Sequence, residues 1–260
     1  MKELSIIIST YKNVEFLKEC FDSIINSIKS FNVEVLVGID ACVDSLHYIR
    51  NNEFPNYFRF VFFEKNQGPY TVFNTLVKES SSKNVLFFGS DDIMCESMVS
   101  NLLENLNIDF VKTKYSNFND GEKSEVKSKV FDYGGIFMIK KELFLSLNGF
   151  EPWLCEADTD FIERLKKVNH TESIINSLCF YRRIHPKGLT SNFDTNGNSQ
   201  LRKKYKKITE TENRDSKLEF LKTHNFVELN KVDESKIDPI NENFKEKTIK
   251  RNFIKSIIYN

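Results

Sequence analysis

Several common features are missing from this chain, and each absence narrows what it does. No uninterrupted apolar run among its 260 residues approaches membrane-spanning length, so no spanning helix is expected. Net charge is absent too: 37 lysines and arginines offset 37 aspartates and glutamates, leaving no basic footprint for nucleic acid. The five cysteines (20, 42, 95, 155, 179) are odd in number, scattered and free of metal-type spacing. They read as reduced, buried thiols of a cytoplasmic protein, not as a disulfide framework. No leader is evident, because Met1-Lys2-Glu3 runs directly into a strand-like stretch, and there is no internal repeat. What is abundant is phenylalanine, whose 24 residues recur within apolar runs as core packing requires. The length suffices for a substantial core in one domain, or one domain with an appendage.

The first half alternates short β-rich runs with helical patterns. Leu4–Ile8, Val33–Ile39, Phe58–Phe63 and Val85–Phe88 read as strands. Between the first two, Phe16, Leu17, Cys20, Phe21, Ile24, Ile25 and Ile28 recur at helical spacing, and shorter helical patterns run through Leu46 and Ile49 and from Tyr70 to Glu79. This β-α-β-α-β-α-β order predicts an α/β fold with a mostly parallel central sheet flanked by helices. The second half is less regular. Helices are expected over 96–106, 141–147 and 158–168, and strands over 110–113, 134–139 and 177–183. Residues 116–129 read as a polar loop or hairpin excursion, and Asn148-Gly149 as a helix stop. A boundary is placed near 192, giving a domain over 1–192 and a charged, mostly helical extension over 193–260.

Polar groups collect at four strand ends: Thr10-Tyr11, Asp40, Asn66 with Gly68, and Asp91-Asp92. In a parallel sheet these ends share one edge, where open α/β folds place their ligands. Two adjacent carboxylates after the buried run Val85–Phe88 are costly unless a cation or hydrogen-bond donors satisfy them. One reading is a divalent metal holding a phosphorylated ligand; the other is that Ser90 or Asp91 caps the next helix. Asp40 suits hydrogen bonds from a base or ribose, or an Asx turn, and Asp44 reads as a helix cap. Glu156 and Asp160 read as partners of a helix dipole. Tyr181-Arg182-Arg183-Ile184-His185 ends a strand with groups suited to phosphate oxygens and a divalent cation, or with a structural cluster.

Together these motifs resemble a family 2 glycosyltransferase of the GT-A fold, the inverting, nucleotide-sugar-dependent type, over about residues 3 to 192. Ser5–Tyr11 is similar to the opening strand and nucleotide-binding turn, and Val35–Asp40 to the second strand with its base-binding aspartate. Asn66-Gln67-Gly68 with Asn74, Phe87–Asp92, Asn148–Phe150 with Glu156–Leu165, and Tyr181–His185 follow in the family's order. The resemblance implies a nucleotide-sugar site drawn from Ser9, Thr10, Tyr11, Asp40, Asn66, Gly68, Asn74, Ser90, Asp92, Arg182 and Arg183. It implies Mn²⁺ or Mg²⁺ on Asp91 and His185, Asp158 as catalytic base, and Glu156 with Trp153 on the acceptor side. Trp153 reads equally as a core aromatic. The chain departs from the family at two positions: Gly89 stands where an aspartate is usual, and Ala157 where a glutamate usually precedes the base.

The implied reaction is a hexosyltransferase one. A sugar moves from a nucleotide-diphosphate sugar, UDP-sugar favoured, to an acceptor hydroxyl on a glycan or lipid-linked saccharide, with inversion. A non-catalytic nucleotide-sugar-binding or scaffold protein of the same fold is the alternative. A sugar-1-phosphate nucleotidyltransferase is disfavoured, because Ser9-Thr10-Tyr11-Lys12-Asn13 lacks a glycine-rich loop. Phe244, Ile249, Phe253, Ile254, Ile257 and Ile258 with interspersed lysines and arginines form a basic amphipathic segment. It reads as peripheral membrane contact, or as packing on the domain or in a homodimer.

Overall fold

The computed structural model describes residues 2–119 and 130–211. The chain begins β1 (Leu4–Thr10), α1 (Val14–Ile28), β2 (Val33–Asp40), α2 (Val43–Arg50), β3 (Phe58–Phe63), α3 (Pro69–Glu79) and β4 (Asn84–Gly89). These four strands lie side by side in the order β3-β2-β1-β4, all parallel. Every residue of β2 is buried, the signature of a strand covered on both faces. Ser9 is in register with Gly38 on one side and Gly89 on the other. The polar residues that follow each strand are therefore delivered to one edge.

The second half comprises β5 (Ile93–Met94), α4 (Met98–Leu103), β6 (Phe110–Phe118), β7 (Val130–Lys140), α5 (Lys141–Ser146), α6 (Ala157–Leu165), β8 (Glu172–Arg183) and α7 (Gln200–Thr211). Here the sheet is mixed, continuing β4-β7-β6-β8-β5. β7 runs antiparallel to both β4 and β6, whereas β8 is parallel to β6. The parallel pair β6 and β8 is joined through β7, α5 and α6, which bring the chain back to the starting end of β6. β6 and β8 are longer than their apolar runs predict. Register shifts around Lys112 and Lys114 break the two-residue alternation by which a strand is read. The expected excursion beyond residue 119 and the amphipathic segment from Phe244 to Ile258 lie outside the described residues.

Alternation along the strands divides the core into two layers. Ile6, Ile8, Leu86 and Phe88 face one layer with α1, α2 and α4, while Ile7, Val85 and Phe87 face the other with α3, α5 and α6. Phenylalanine dominates the second layer: Phe150 lies 4.8 Å from Phe87, 5.0 Å from Phe144 and 5.4 Å from Phe161, centroid to centroid. Such ring pairs add to the area they bury. α7 docks against α6, with Tyr205 stacked on Trp153 at 4.5 Å and nearly parallel to it. At the sheet end opposite the polar edge, the buried Glu34 accepts hydrogen bonds from Ser5 Oγ (2.5 Å), Ser81 N (2.6 Å), Ser81 Oγ (2.8 Å) and Arg59 (3.1 Å). Among the described residues no helix is long and apolar enough to cross a membrane.

Candidate active site

The polar edge forms the floor of a pocket of about 400 Å³. Past β1 the backbone turns through Lys12 at φ 53°, and Thr10 Oγ1 donates to Asn13 Oδ1 at 2.6 Å. Asn13 Nδ2 in turn donates to Ser90 Oγ at 2.6 Å, locking the end of β1 to the end of β4. Asp40 accepts the backbone N–H groups of Gln67 (2.7 Å) and Gly68 (2.9 Å), which fixes the loop entering α3. Burial raises the Asp40 carboxyl, and these two bonds only partly oppose it. Gly68 sits at φ 80°, a left-handed conformation natural to glycine, and Pro69 opens the helix.

On the β4 side, Asp91 Oδ2 and His185 Nε2 are 2.8 Å apart. A carboxylate oxygen and an imidazole nitrogen thus converge on one point, where a proton or a cation satisfies both. Their spacing is close to the roughly 3 Å edge between adjacent ligands of an octahedral ion with bonds of about 2.1 Å. Among the described residues no group of three His, Cys, Asp or Glu side chains is arranged to hold a metal. A two-donor set leaves positions for phosphate oxygens and water, the usual manner of holding Mg²⁺ at a nucleotide. Asp92 is buried behind this pair and accepts the backbone N–H of Arg183 at 3.0 Å. Burial, then the neighbouring Asp91 charge, pushes its carboxyl well up. A Cβ at Gly89 would lie 2.5 Å from Asp92 Oδ2 and 3.1 Å from Asp91 Oδ1. The two acids therefore fold into space that any other residue at 89 would claim.

Across the pocket, Asp158 occupies the first turn of α6. Its Oδ1 accepts the Tyr70 hydroxyl at 2.9 Å, and a Cβ at Gly135 would stand 3.0 Å from its Oδ2. Protein closes around the carboxylate on most sides, while one edge opens to the pocket. Burial raises its pKa, with help from the Glu156 charge; the Tyr70 hydroxyl and the Thr159 N–H pull the other way and lose. A raised carboxylate facing a cleft is suited to accepting a proton. Glu156 precedes it in a left-handed conformation (φ 67°) and pairs with Arg202 of α7. Arg202 also donates to the carbonyls of Thr195 and Leu189, anchoring the loop that forms the pocket's outer wall.

The family model for glycosyl transferase family 2 matches residues 5–205. The chain belongs to that family. A curated relative, the poly(ribitol-phosphate) beta-N-acetylglucosaminyltransferase TarP of Staphylococcus aureus (strain N315), is 29% identical over 160 residues, covering 57% of this chain and 47% of TarP. The chain thus spans about half the length of that relative. The S. aureus TarS fragment 1–349 with UDP-GlcNAc superposes with a TM-score of 0.59 at 17% identity, covering 72% of this chain and 60% of that one. The mannosyltransferase PcManGT from Pyrobaculum calidifontis, in complex with GDP-Man and Mn²⁺, gives 0.55 at 15% identity, covering 72% and 58%. These likenesses show the fold, which is GT-A.

Against this family frame, the pocket collects Ser9, Tyr11, Asp40, Asn66, Gly68, Ser90, Asp91, Asp92, Asp158 and His185. The other residues singled out by sequence sit behind or beside it. Thr10 supports Asn13 from within, and Asn74 clasps Phe150 by both backbone groups, at 2.7 and 2.8 Å. Arg183 is buried: its Nε donates to the Asp91 carbonyl at 2.8 Å and its fork pairs with Glu19. Arg182, one residue earlier, lies 5.1 Å over the Tyr115 ring. Trp153 and Glu156 are engaged by Tyr205 and Arg202 of α7. The pocket also contains Asn13, Tyr70, Leu154, Lys187, Leu189 and Thr195, which no motif signalled. Only the polar turn after β1 hinted at Asn13.

Proposed function

We propose that this chain is a metal-dependent, inverting glycosyltransferase that moves a sugar from a nucleotide-diphosphate sugar to an acceptor hydroxyl. The observation that carries the reading is one pocket holding the Asp91–His185 donor pair on one wall and the raised, tyrosine-bonded Asp158 on another. Asp91 and His185 would hold Mn²⁺ or Mg²⁺, whose chemistry is to stabilise negative charge on the departing diphosphate. Asp158 accepts the proton of the acceptor hydroxyl as its oxygen bonds to the anomeric carbon. The carbon–oxygen bond to the diphosphate breaks on the opposite side, so the configuration inverts and a nucleoside diphosphate leaves. The strand-end residues Ser9, Tyr11 and Asp40 orient the nucleoside, and Asn13 and Ser90 hold that floor rigid.

UDP-GlcNAc is the favoured donor because TarS was solved with it and TarP is named for N-acetylglucosamine transfer. TarP's poly(ribitol-phosphate) acceptor supports a polyol or saccharide hydroxyl as the acceptor class here. The test is release of UDP from UDP-GlcNAc with Mn²⁺, with GDP-Man in parallel, comparing the parent with Asp158→Asn. Metal-dependent release by the parent and its loss in the variant support the reading. Binding of both nucleotide sugars without any release identifies a binding module instead.

A further inference from the structure

The residues lining the pocket carry four carboxylates (Asp40, Asp91, Asp92, Asp158) but one ammonium, that of Lys187. A diphosphate entering this space meets repulsion that one bound cation does not fully offset, so the position of Lys187 matters. Among the described residues, the nearby guanidinium of Arg183 is already committed to Glu19 and the Asp91 carbonyl. Lys187 itself is held at the pocket rim by Glu15 in the first turn of α1, Nζ to Oε1 at 2.5 Å.

The geometry around this pair is ordered at its base and free at its tip. Arg183 at the end of β8, then His185 and Lys187 in the segment that follows it, meet Glu19, Phe16 and Glu15 of α1 in turn. Gly188 N donates to the His185 carbonyl at 3.1 Å, closing a turn that fixes the Lys187 backbone beside the imidazole. A Cβ at Gly188 would stand 3.4 Å from His185 Nε2, so this turn packs directly on the ring. By contrast, the Lys187 and Glu15 side chains are 61% and 40% exposed. An exposed ion pair contributes little and is readily exchanged, and a lysine head on its four-carbon stem can swing between acceptors.

We propose that Glu15 is a latch on Lys187: it holds the ammonium at the rim of the pocket until the diphosphate of the donor takes it over on binding. Lys187 then contacts the phosphate oxygens beside His185, while Glu15 is released to solvent. This inference rests on the nucleotide-diphosphate reading of the pocket. No covalent bond changes; one ion pair replaces another.

The experiment is calorimetric binding of UDP, GDP, pyrophosphate and uridine in Mn²⁺ to the full chain, the Glu15→Gln and Lys187→Gln variants, and the double variant. Lys187→Gln is expected to weaken UDP and pyrophosphate about tenfold or more and to leave uridine unchanged. Glu15→Gln is expected to tighten UDP about two- to fivefold, and only where Lys187 is present. If Glu15→Gln tightens UDP equally in the Lys187→Gln background, Glu15 merely repels the anion and the latch is overturned. Unchanged UDP affinity in Lys187→Gln overturns it as well. A parent that binds neither UDP nor GDP defeats the functional reading itself, which separates the two failures. Unchanged melting temperatures in both variants confirm that folding is not being measured.

Discussion

The Tyr70 hydroxyl donates to Asp158 Oδ1 at 2.9 Å, joining the first turn of α3 to the first turn of α6 across the pocket. The bond favours the charged carboxylate, while burial favours the neutral one and prevails. The pH at which Asp158 becomes a base is therefore set by a competition that one phenol can tilt.

Tyr70→Phe should raise the Asp158 pKa further, because a donor to the charged form is lost. The acid limb of the pH profile of kcat/KM should move to higher pH, with much of the activity recovered on the alkaline side. A Tyr70 that served only packing would instead lower the rate by the same factor at every pH.

Asp158→Asn should reduce turnover by about 10² to 10⁴, the usual share of a general base, while UDP still binds. It should also stabilise the protein at neutral pH. A carboxyl whose folded pKa is raised supports the fold fully below its unfolded pKa, and that support is lost as pH rises through the folded value. The amide carries no charge to desolvate, so melting temperature should rise at about pH 8 and match the parent below about pH 3. A lower melting temperature at pH 8 would sink this account of the site.

The parallel half of the fold was legible because β1, β2 and β4 are short, mostly apolar runs and their polar ends share one edge. Asp91, His185 and Asp158 reached one pocket for the same reason: strand ends and a helix start converge there. Two neighbouring arginines on a strand cannot both face one way, yet their charge alone did not say which. Arg183 turned to Glu19 of α1 and Arg182 to Tyr115. Trp153 and Glu156 were ambiguous because their partners, Tyr205 and Arg202, lie some fifty residues further on. Tyr70 carries no motif, since its role exists only once α3 and α6 meet.

Glu34 gives a test of stability at the sheet end opposite the pocket. Burial alone would raise its pKa, but the hydrogen bonds from Ser5, Ser81 and Arg59 outweigh it and leave the carboxyl lowered. Such a group stabilises the fold above its unfolded pKa, and the contribution is lost as pH falls through the folded value. Glu34→Gln should cost about 1.5–3 kcal/mol at neutral pH, the worth of hydrogen bonds to a charge, and less in acid. Chemical denaturation at two pH values measures both, and a cost that grows on acidification contradicts the assignment.

Position 89 yields the least intuitive expectation. By the sequence resemblance an aspartate is usual there, and introducing one looks like a repair. The space is occupied, however: a Cβ at Gly89 would lie 2.5 Å from Oδ2 of the buried Asp92 and 3.1 Å from Asp91 Oδ1. Gly89→Ala should therefore displace Asp92, break its bond to the Arg183 N–H and cost about 1–3 kcal/mol, as overpacking does. Gly89→Asp adds a further carboxylate beside the Asp91 charge, so it should weaken Mn²⁺-dependent UDP binding more than Gly89→Ala. Pairing it with Asp92→Gly vacates the space and removes one buried carboxyl. The double variant should then bind UDP better than Gly89→Asp alone, a non-additivity that titration of the parent, Gly89→Asp, Asp92→Gly and the double variant measures directly. Equal affinity of Gly89→Asp and the parent would mean that Asp92 does not occupy the place of the missing carboxylate.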